Sequence, residues 1–179
     1  IDMTDKQTDR LTHLVEDMLD VTRINAGKLA IIKAPFDLAE LVSEVIERFQ
    51  HQLLKADCPV RQELEKGVVG NWDRFRIEQV INNLFTNAIR YAPGSPLHVV
   101  LKTVGREAEL CMHDQGPGVA EADRERIFQR FERVAGTNNV NGMGLGLYIC
   151  REIIQAHGGS ISVTNGPAGG ATFVIKLPL

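Results

Sequence analysis

Asn83, Asn87 and Arg90 recur at steps of four and three residues within an apolar-periodic stretch. At 100° per residue they fall on one flank of a helix. Amide oxygens are neutral, hard donors suited to one or two positions on Mg²⁺ when phosphate oxygens and water fill the others, and a guanidinium on the same edge pairs with phosphate. Asp114 closes a β-rich run and is followed by Gln115-Gly116-Pro117-Gly118. A strand-end carboxylate accepts a hydrogen bond from an exocyclic amine such as that of adenine, and the glycines let backbone approach a flat ring. Gly142-Met143-Gly144-Leu145-Gly146-Leu147 then opens a run to His157 that has helical periodicity. Glycines ahead of a helix start offer unpaired N–H groups and a positive dipole end to an anion, and phosphate is the natural guest. Taken singly, each feature has a plainer reading: satisfied surface amides, a turn-capping aspartate, connector glycines.

The surrounding elements must place these groups together. Residues 3–25 lack Pro and Gly and carry Leu11, Leu14, Met18 and Val21 at heptad-like steps, flanked by Val15, Leu19 and Ile24. That seam is wider than one small domain needs and predicts half of a helical hairpin or a dimer bundle; His13 within it reads as packed or solvent-facing. Asn25-Ala26-Gly27 ends the helix, so residues 1–26 and 27–179 are predicted as separate units. The spacing then predicts a strand over 28–33, a helix capped by Asp37 and running to 55, strands near 60–65 and 68–71, and a helix capped by Asp73 and running to 91. Strands at 97–104 and 107–113, a polar loop at 136–141 read as mobile, a helix over 145–157 and strands at 160–165 and 171–177 complete the order. Such an order predicts an α+β fold: a two-layer α/β sandwich whose mixed, mostly antiparallel sheet is covered on one face by about three helices.

Composition narrows the classes. A chain of 179 residues with 44% hydrophobic and 24% charged residues buries a real core. The net charge of −3 gives no general polyanion footprint, so no nucleic-acid partner is expected. Three widely spaced cysteines, Cys58, Cys111 and Cys150, fit reduced, mostly buried thiols and a cytoplasmic setting. The sequence contains no apolar run of membrane-spanning length. It starts within a helix and without methionine, which reads as an excised piece of a parent that could be anchored in the inner membrane.

Together the motifs resemble the ATP-binding catalytic domain of sensor histidine kinases, within the superfamily of gyrase, the Hsp90 chaperone and the MutL mismatch-repair protein. The run from Asn83 to Tyr91 resembles the N box, and Asp114 to Gly118 the first glycine box. Phe128-Gln129-Arg130-Phe131 resembles the F box, Gly142 to Leu147 the second glycine box, and Gly170-Ala171-Thr172-Phe173 the third. Residue by residue, the resemblance implies that Asn87 ligates Mg²⁺ with help from Asn83, that Arg90 contacts phosphate, and that Tyr91 packs on the base. Asp114 would read the adenine amine, with Gly116, Gly118 and Val119 beside the base and Thr172 nearby through its hydroxyl or a water. Gly142, Gly144, Leu145, Gly146 and Leu147 would cradle the triphosphate below a lid of roughly residues 119–141. Arg130 or Arg133 would reach the γ-phosphate. Replacing Gly144 and Gly146 by alanine is expected to weaken nucleotide binding and leave the fold intact.

The implied activity is transfer of the γ-phosphoryl group of ATP to a histidine on a dimerisation hairpin. The implied partners are ATP or ADP, that hairpin, a response regulator and, in the parent, a second copy. Two departures qualify it. Ala168 stands where the third box often carries glycine, and no His-Glu-x-x-Thr-Pro-like acceptor motif exists, since His13 is followed by Leu14-Val15-Glu16. Autophosphorylation of this chain is therefore not expected. Hydrolytic superfamily members carry a glutamate one turn before the metal-binding asparagine, and Asn83 occupies that place. It cannot take a proton, which argues for slow intrinsic hydrolysis. A nucleotide-binding regulator without kinase activity and a slow ATPase are the alternative readings.

Overall fold

The computed structural model describes residues 2–132, 143–166 and 169–179, and within the first helix the side chains of residues 12 and 14–25. In chain order the elements are α1 (Asp2–Asn25), β1 (Ala34–Asp37), α2 (Leu38–Lys55), β2 (Val60–Leu64), β3 (Val69–Trp72), α3 (Arg74–Tyr91), β4 (Leu97–Val104), β5 (Glu107–His113), α4 (Gly146–Ala156), β6 (Ser160–Asn165) and β7 (Ala171–Pro178). Two 3-10 turns, Glu121–Asp123 and Arg126–Phe128, lie between β5 and α4. Five strands form one sheet in the order β2-β4-β5-β7-β6, and β1 pairs with β3 in a separate two-stranded ribbon. Only β2 and β4 are parallel within the large sheet; its other pairs are antiparallel.

Side chains alternate between the two faces of a strand. In β4, β5 and β7 the inward set is Leu97, Val99 and Leu101, then Ala108, Leu110 and Met112, then Ala171, Phe173, Ile175 and Leu177, all buried. The register brings these sets into rows: Val99 faces Met112, which faces Phe173, and Leu101 faces Leu110, which faces Ile175. The apolar stripes of α2, α3 and α4 join this layer through residues such as Val42, Ile81, Phe85 and Ile153, in one continuous core. The two-layer sandwich covered on one face is thus the observed architecture. On the other face Glu109 lies 3.0 Å from the ammonium of Lys102 and 3.6 Å from that of Lys176. Its hydrogen bond with Lys102 holds the carboxyl below the usual range.

Helix starts follow the sequence signals. Asp37 accepts the Ala39 N–H at 2.8 Å, and Asp73 accepts the Arg76 N–H at 3.1 Å. The Asp73 N–H donates to Nε2 of buried His157 at 2.9 Å, and His157 Nδ1 lies 2.7 Å from the Ile153 carbonyl. One imidazole thereby joins the end of α4 to the start of α3. Loss of hydration is the main cause lowering its pKa, so the neutral ring is favoured.

Residues 28–33, predicted as a strand, form no ladder; the strand begins at Ala34. The physical reason is local. Ile32 N–H donates to Asp73 Oδ2 at 2.8 Å, so a capping carboxylate takes the place of a neighbouring strand, and the Ile32 side chain is exposed.

Helix α1 packs on the domain by Val21 and Ile24 and by a buried polar cluster. Asp20 accepts two contacts of 2.9 Å from Arg76 Nη1 and one of 2.7 Å from Gln79 Nε2. Val15, Met18 and Leu19, from the predicted seam and its flanks, remain exposed. All three cysteines are free; Cys58 and Cys150 are buried, and burial raises the Cys150 thiol pKa. Among the described residues no helix is long and apolar enough to cross a membrane.

Candidate functional site

Between α3, the start of α4 and the ends of β5 and β7 lies a cavity of about 1140 Å³, ample for a nucleotide-sized ligand. Asn83, Asn87, Arg90 and Tyr91 line it from α3, Asp114, Gly118 and Val119 from the segment after β5, and Gly144, Leu145, Gly146 and Leu147 from the start of α4. Three stretches far apart in sequence therefore meet around one space.

Helix α3 supplies more of the wall than its asparagines. Arg76 and Gln79 also line it, and the steps 76, 79, 83, 87 and 90 repeat the three–four spacing of one helix face. The same spacing read backwards from Asn83 would have found them. Asp20 and Arg23 of α1 close that end, so the polar cluster holding α1 belongs to the cavity wall.

At the opposite end Asp114 is buried. Its Oδ1 accepts the Gly116 N–H at 2.8 Å and the Ala171 N–H at 3.1 Å, while its own N–H donates to the Ala171 carbonyl at 2.9 Å. Among the described residues these side-chain hydrogen bonds all fall on Oδ1 and none on Oδ2. The fixed carboxylate thus keeps one oxygen as an acceptor for a donor in the cavity.

The start of α4 is fitted to its neighbours. Gly144 has a φ of 69°, a left-handed conformation that glycine adopts without cost. A Cβ there would lie 2.6 Å from the Glu132 carbonyl oxygen, and the Gly144 carbonyl accepts the Phe131 N–H at 2.9 Å. Residues before and after the undescribed stretch are stitched at this point. A Cβ on Gly146 would lie 2.5 Å from Asn83 Oδ1, so the helix start and the amide edge of α3 are in direct apposition. Amide oxygens beside the N–H groups of a helix start, which have no intrahelical partners, form a donor set that fits Mg²⁺ and phosphate together.

Other predicted residues lie elsewhere. Gly116 is placed behind the cavity, where a Cβ would meet that of Ala92 at 2.7 Å. Thr172 is not brought to Asp114: strand alternation turns it to the outer face, where its hydroxyl lies 2.9 Å from His113 Nδ1. Its neighbour Ala171 lines the cavity instead. Arg130 is outside the lining; its guanidinium donates to the Tyr148 hydroxyl at 2.7 Å and lies 4.7 Å from the centre of that ring. Phe128, from the same motif, packs edge-on to Phe173. Arg133, Gly142, Ala168 and the polar loop 136–141 lie outside the described residues.

A two-layer sandwich with an amide edge, a strand-end carboxylate and a glycine-led helix around one cavity defines an ATPase domain of the class shared by histidine kinases, gyrase B and Hsp90. Residues 72–179 match the family described as histidine kinase-, DNA gyrase B-, and HSP90-like ATPase, and the chain belongs to that family. It is 33% identical over 172 residues to the signal transduction histidine-protein kinase BaeS of Escherichia coli K12, covering 94% of this chain and 37% of that protein. It is 35% identical over 175 residues to the sensor protein SrrB of Staphylococcus aureus NCTC 8325, covering 96% of this chain and 30% of that one. The crystal structure of full-length ShkA in complex with AMPPNP matches with a TM-score of 0.85 at 27% identity, over 97% of this chain and 36% of that chain. The chain thus carries a histidine kinase ATPase catalytic domain, homologous to those of two-component sensor kinases, and spans about a third of the curated relatives it matches.

Proposed function

We propose that this domain binds ATP with Mg²⁺ and presents the γ-phosphoryl group to a histidine on a dimerisation hairpin of its parent kinase. The observation that carries the reading is the convergence of Asn83, Asn87 and Arg90, Asp114 and the Gly144–Leu147 turn on one cavity. Asp114 Oδ2 accepts from the adenine amine, Tyr91 packs on the base, and Gly118 and Val119 form the wall beside it. Asn87, assisted by Asn83, holds the metal, which supplies charge neutralisation on the phosphates when bound. Arg90 and the N–H groups around Leu145 and Leu147 hold phosphate oxygens. The ShkA complex with AMPPNP, a protein of the same fold, supports the nucleotide assignment.

The chemistry asks for positioning and charge more than for proton transfer. An imidazole nitrogen bonds to the γ-phosphorus while the bond to the β,γ-bridging oxygen breaks, and ADP leaves with that electron pair. Asn83 takes no proton, so water in its vicinity gains no general base and hydrolysis stays slow. Arg133, or Arg130 once released from Tyr148, stabilises the transferring group.

Residues 1–26 belong to the dimerisation hairpin, as its second helix, and residues 27–179 form the catalytic domain. The parent is a homodimer that passes phosphate to a response regulator, and this domain works in the cytoplasm. Incubation with γ-labelled ATP should leave the chain unlabelled, whereas a hairpin carrying the acceptor histidine, supplied in trans, should acquire acid-labile label. Acid-labile labelling of the chain alone would reopen His13. Nucleotide binding without transfer to the hairpin would favour a regulatory module, and rapid phosphate release would favour an ATPase.

A further inference from the structure

The segment from Asp114 to Val119 forms the wall beside the proposed base site, yet it belongs to no strand. Its first residue is held by Ala171, through the two hydrogen bonds of the Asp114 backbone and carboxylate. Its last residue is held by one side chain. Asn165 Oδ1 accepts the Val119 N–H at 2.9 Å, and Asn165 Nδ2 donates to the Val119 carbonyl at 3.0 Å. The amide of Asn165 thereby satisfies both backbone polar groups of Val119, as a neighbouring strand would. The same amide lies against Gly118, where a Cβ would come within 3.0 Å of Oδ1 and 3.2 Å of Nδ2. Asn165 and Ala171 face each other in the β6–β7 ladder. One end of a single hairpin therefore sets the spacing between the two ends of the wall.

We infer that Asn165 is a positioning residue for nucleotide binding, which holds Gly118 and Val119 in place beside the purine without touching it. The inference rests on the nucleotide reading above. An amide is the side chain suited to the task, because it alone presents one donor and one acceptor side by side in a plane. Alanine provides neither, and aspartate replaces the donor with an oxygen that opposes the Val119 carbonyl.

The test uses the whole chain, with ADP titrated calorimetrically in the presence of Mg²⁺ and hydrogen exchange followed at the Val119 amide. Asn165→Ala should weaken ADP binding about 5- to 10-fold, the loss expected for two partly exposed hydrogen bonds. It should also accelerate Val119 exchange, with Tm close to that of the wild type because Asn165 itself is exposed. Asn165→Asp should bind ADP no better than Asn165→Ala. Thr164→Ala, one residue earlier on the outer face of the same hairpin, should leave affinity and exchange unchanged. Wild-type affinity in Asn165→Ala, or an equal loss in Thr164→Ala, would overturn the inference. Failure of the wild-type chain to bind ADP would overturn the nucleotide reading itself, and the inference with it.

Discussion

Gly146 and Asn83 are so closely apposed that a Cβ on the glycine would sit 2.5 Å from the amide oxygen of the asparagine. The first residue of α4 and the amide edge of α3 are built as one surface, and the cavity takes its shape from that contact. Alanine is at least as good a helix residue as glycine, so Gly146→Ala should not weaken α4. It should force Asn83 aside. The expected outcome is about a tenfold loss of Mg²⁺-dependent ADP affinity by calorimetry, with a nearly unchanged Tm. Unaltered affinity would show that the orientation of Asn83 is immaterial to the ligand.

Gly144 differs, and the expectation that alanine there spares the fold does not follow from the geometry. Its φ of 69° and the Glu132 carbonyl 2.6 Å from a Cβ put any side chain under strain. Gly144→Ala should lower stability by about 1–3 kcal/mol as well as weaken binding. Denaturant titration followed by the fluorescence of Trp72, the only tryptophan, measures it.

Asp114→Asn keeps an oxygen for the N–H groups of Gly116 and Ala171 but places an amide N–H₂ where the second oxygen was. A donor then faces a donor on adenine. ADP affinity should fall about 10- to 100-fold, as when a charged hydrogen bond is lost, with only a small change in Tm. An affinity equal to that of the wild type would remove Asp114 from base recognition.

Asp20→Ala leaves the guanidinium of Arg76, a residue 8% exposed, without its carboxylate. Removing one partner of a buried ion pair costs about 3–5 kcal/mol, and detachment of α1 limits that cost by letting water reach Arg76. The expected result is proteolysis within α1 faster than in the wild-type chain. A helix equally protected in the variant would show that the apolar contacts of Val21 and Ile24 suffice.

Stability should fall on mild acidification because of His157. The unfolded imidazole titrates near ~6.5, and burial holds the folded value lower, the Ile153 carbonyl and Asp73 opposing that shift and Lys33 adding to it. Between the two values the unfolded chain binds the extra proton, so the contribution is complete above about pH 6.5 and declines as pH drops. The decline from this group is at most about 1.4 kcal/mol per pH unit. Urea unfolding at pH 8 and pH 5.5 should show it, and His157→Gln should flatten the dependence. An identical slope in that variant would assign the effect to other groups.

Most elements were legible in the sequence because their signals are local. Capping by Asp37 and Asp73, the stripe of α3 and the alternation in β4, β5 and β7 depend on neighbours within a few residues, and each recurs in the structure. The strand predicted at 28–33 failed for the opposite reason. Its apolar pattern is strand-like, but a side chain 41 positions away takes the Ile32 N–H.

The sequence by itself determined which chemical groups exist and on which elements they lie: the amide edge, the strand-end carboxylate and the glycines before α4. Periodicity and cap chemistry act over one or two turns, and they suffice for that. Only the tertiary structure decided which of these groups meet. It set Gly146 against Asn83, turned Thr172 to the outer face in favour of Ala171, brought Arg76 and Gln79 to Asp20, and gave Asn165 the backbone of Val119. Each of these is a contact between residues tens of positions apart, fixed by sheet register and helix packing rather than by local sequence.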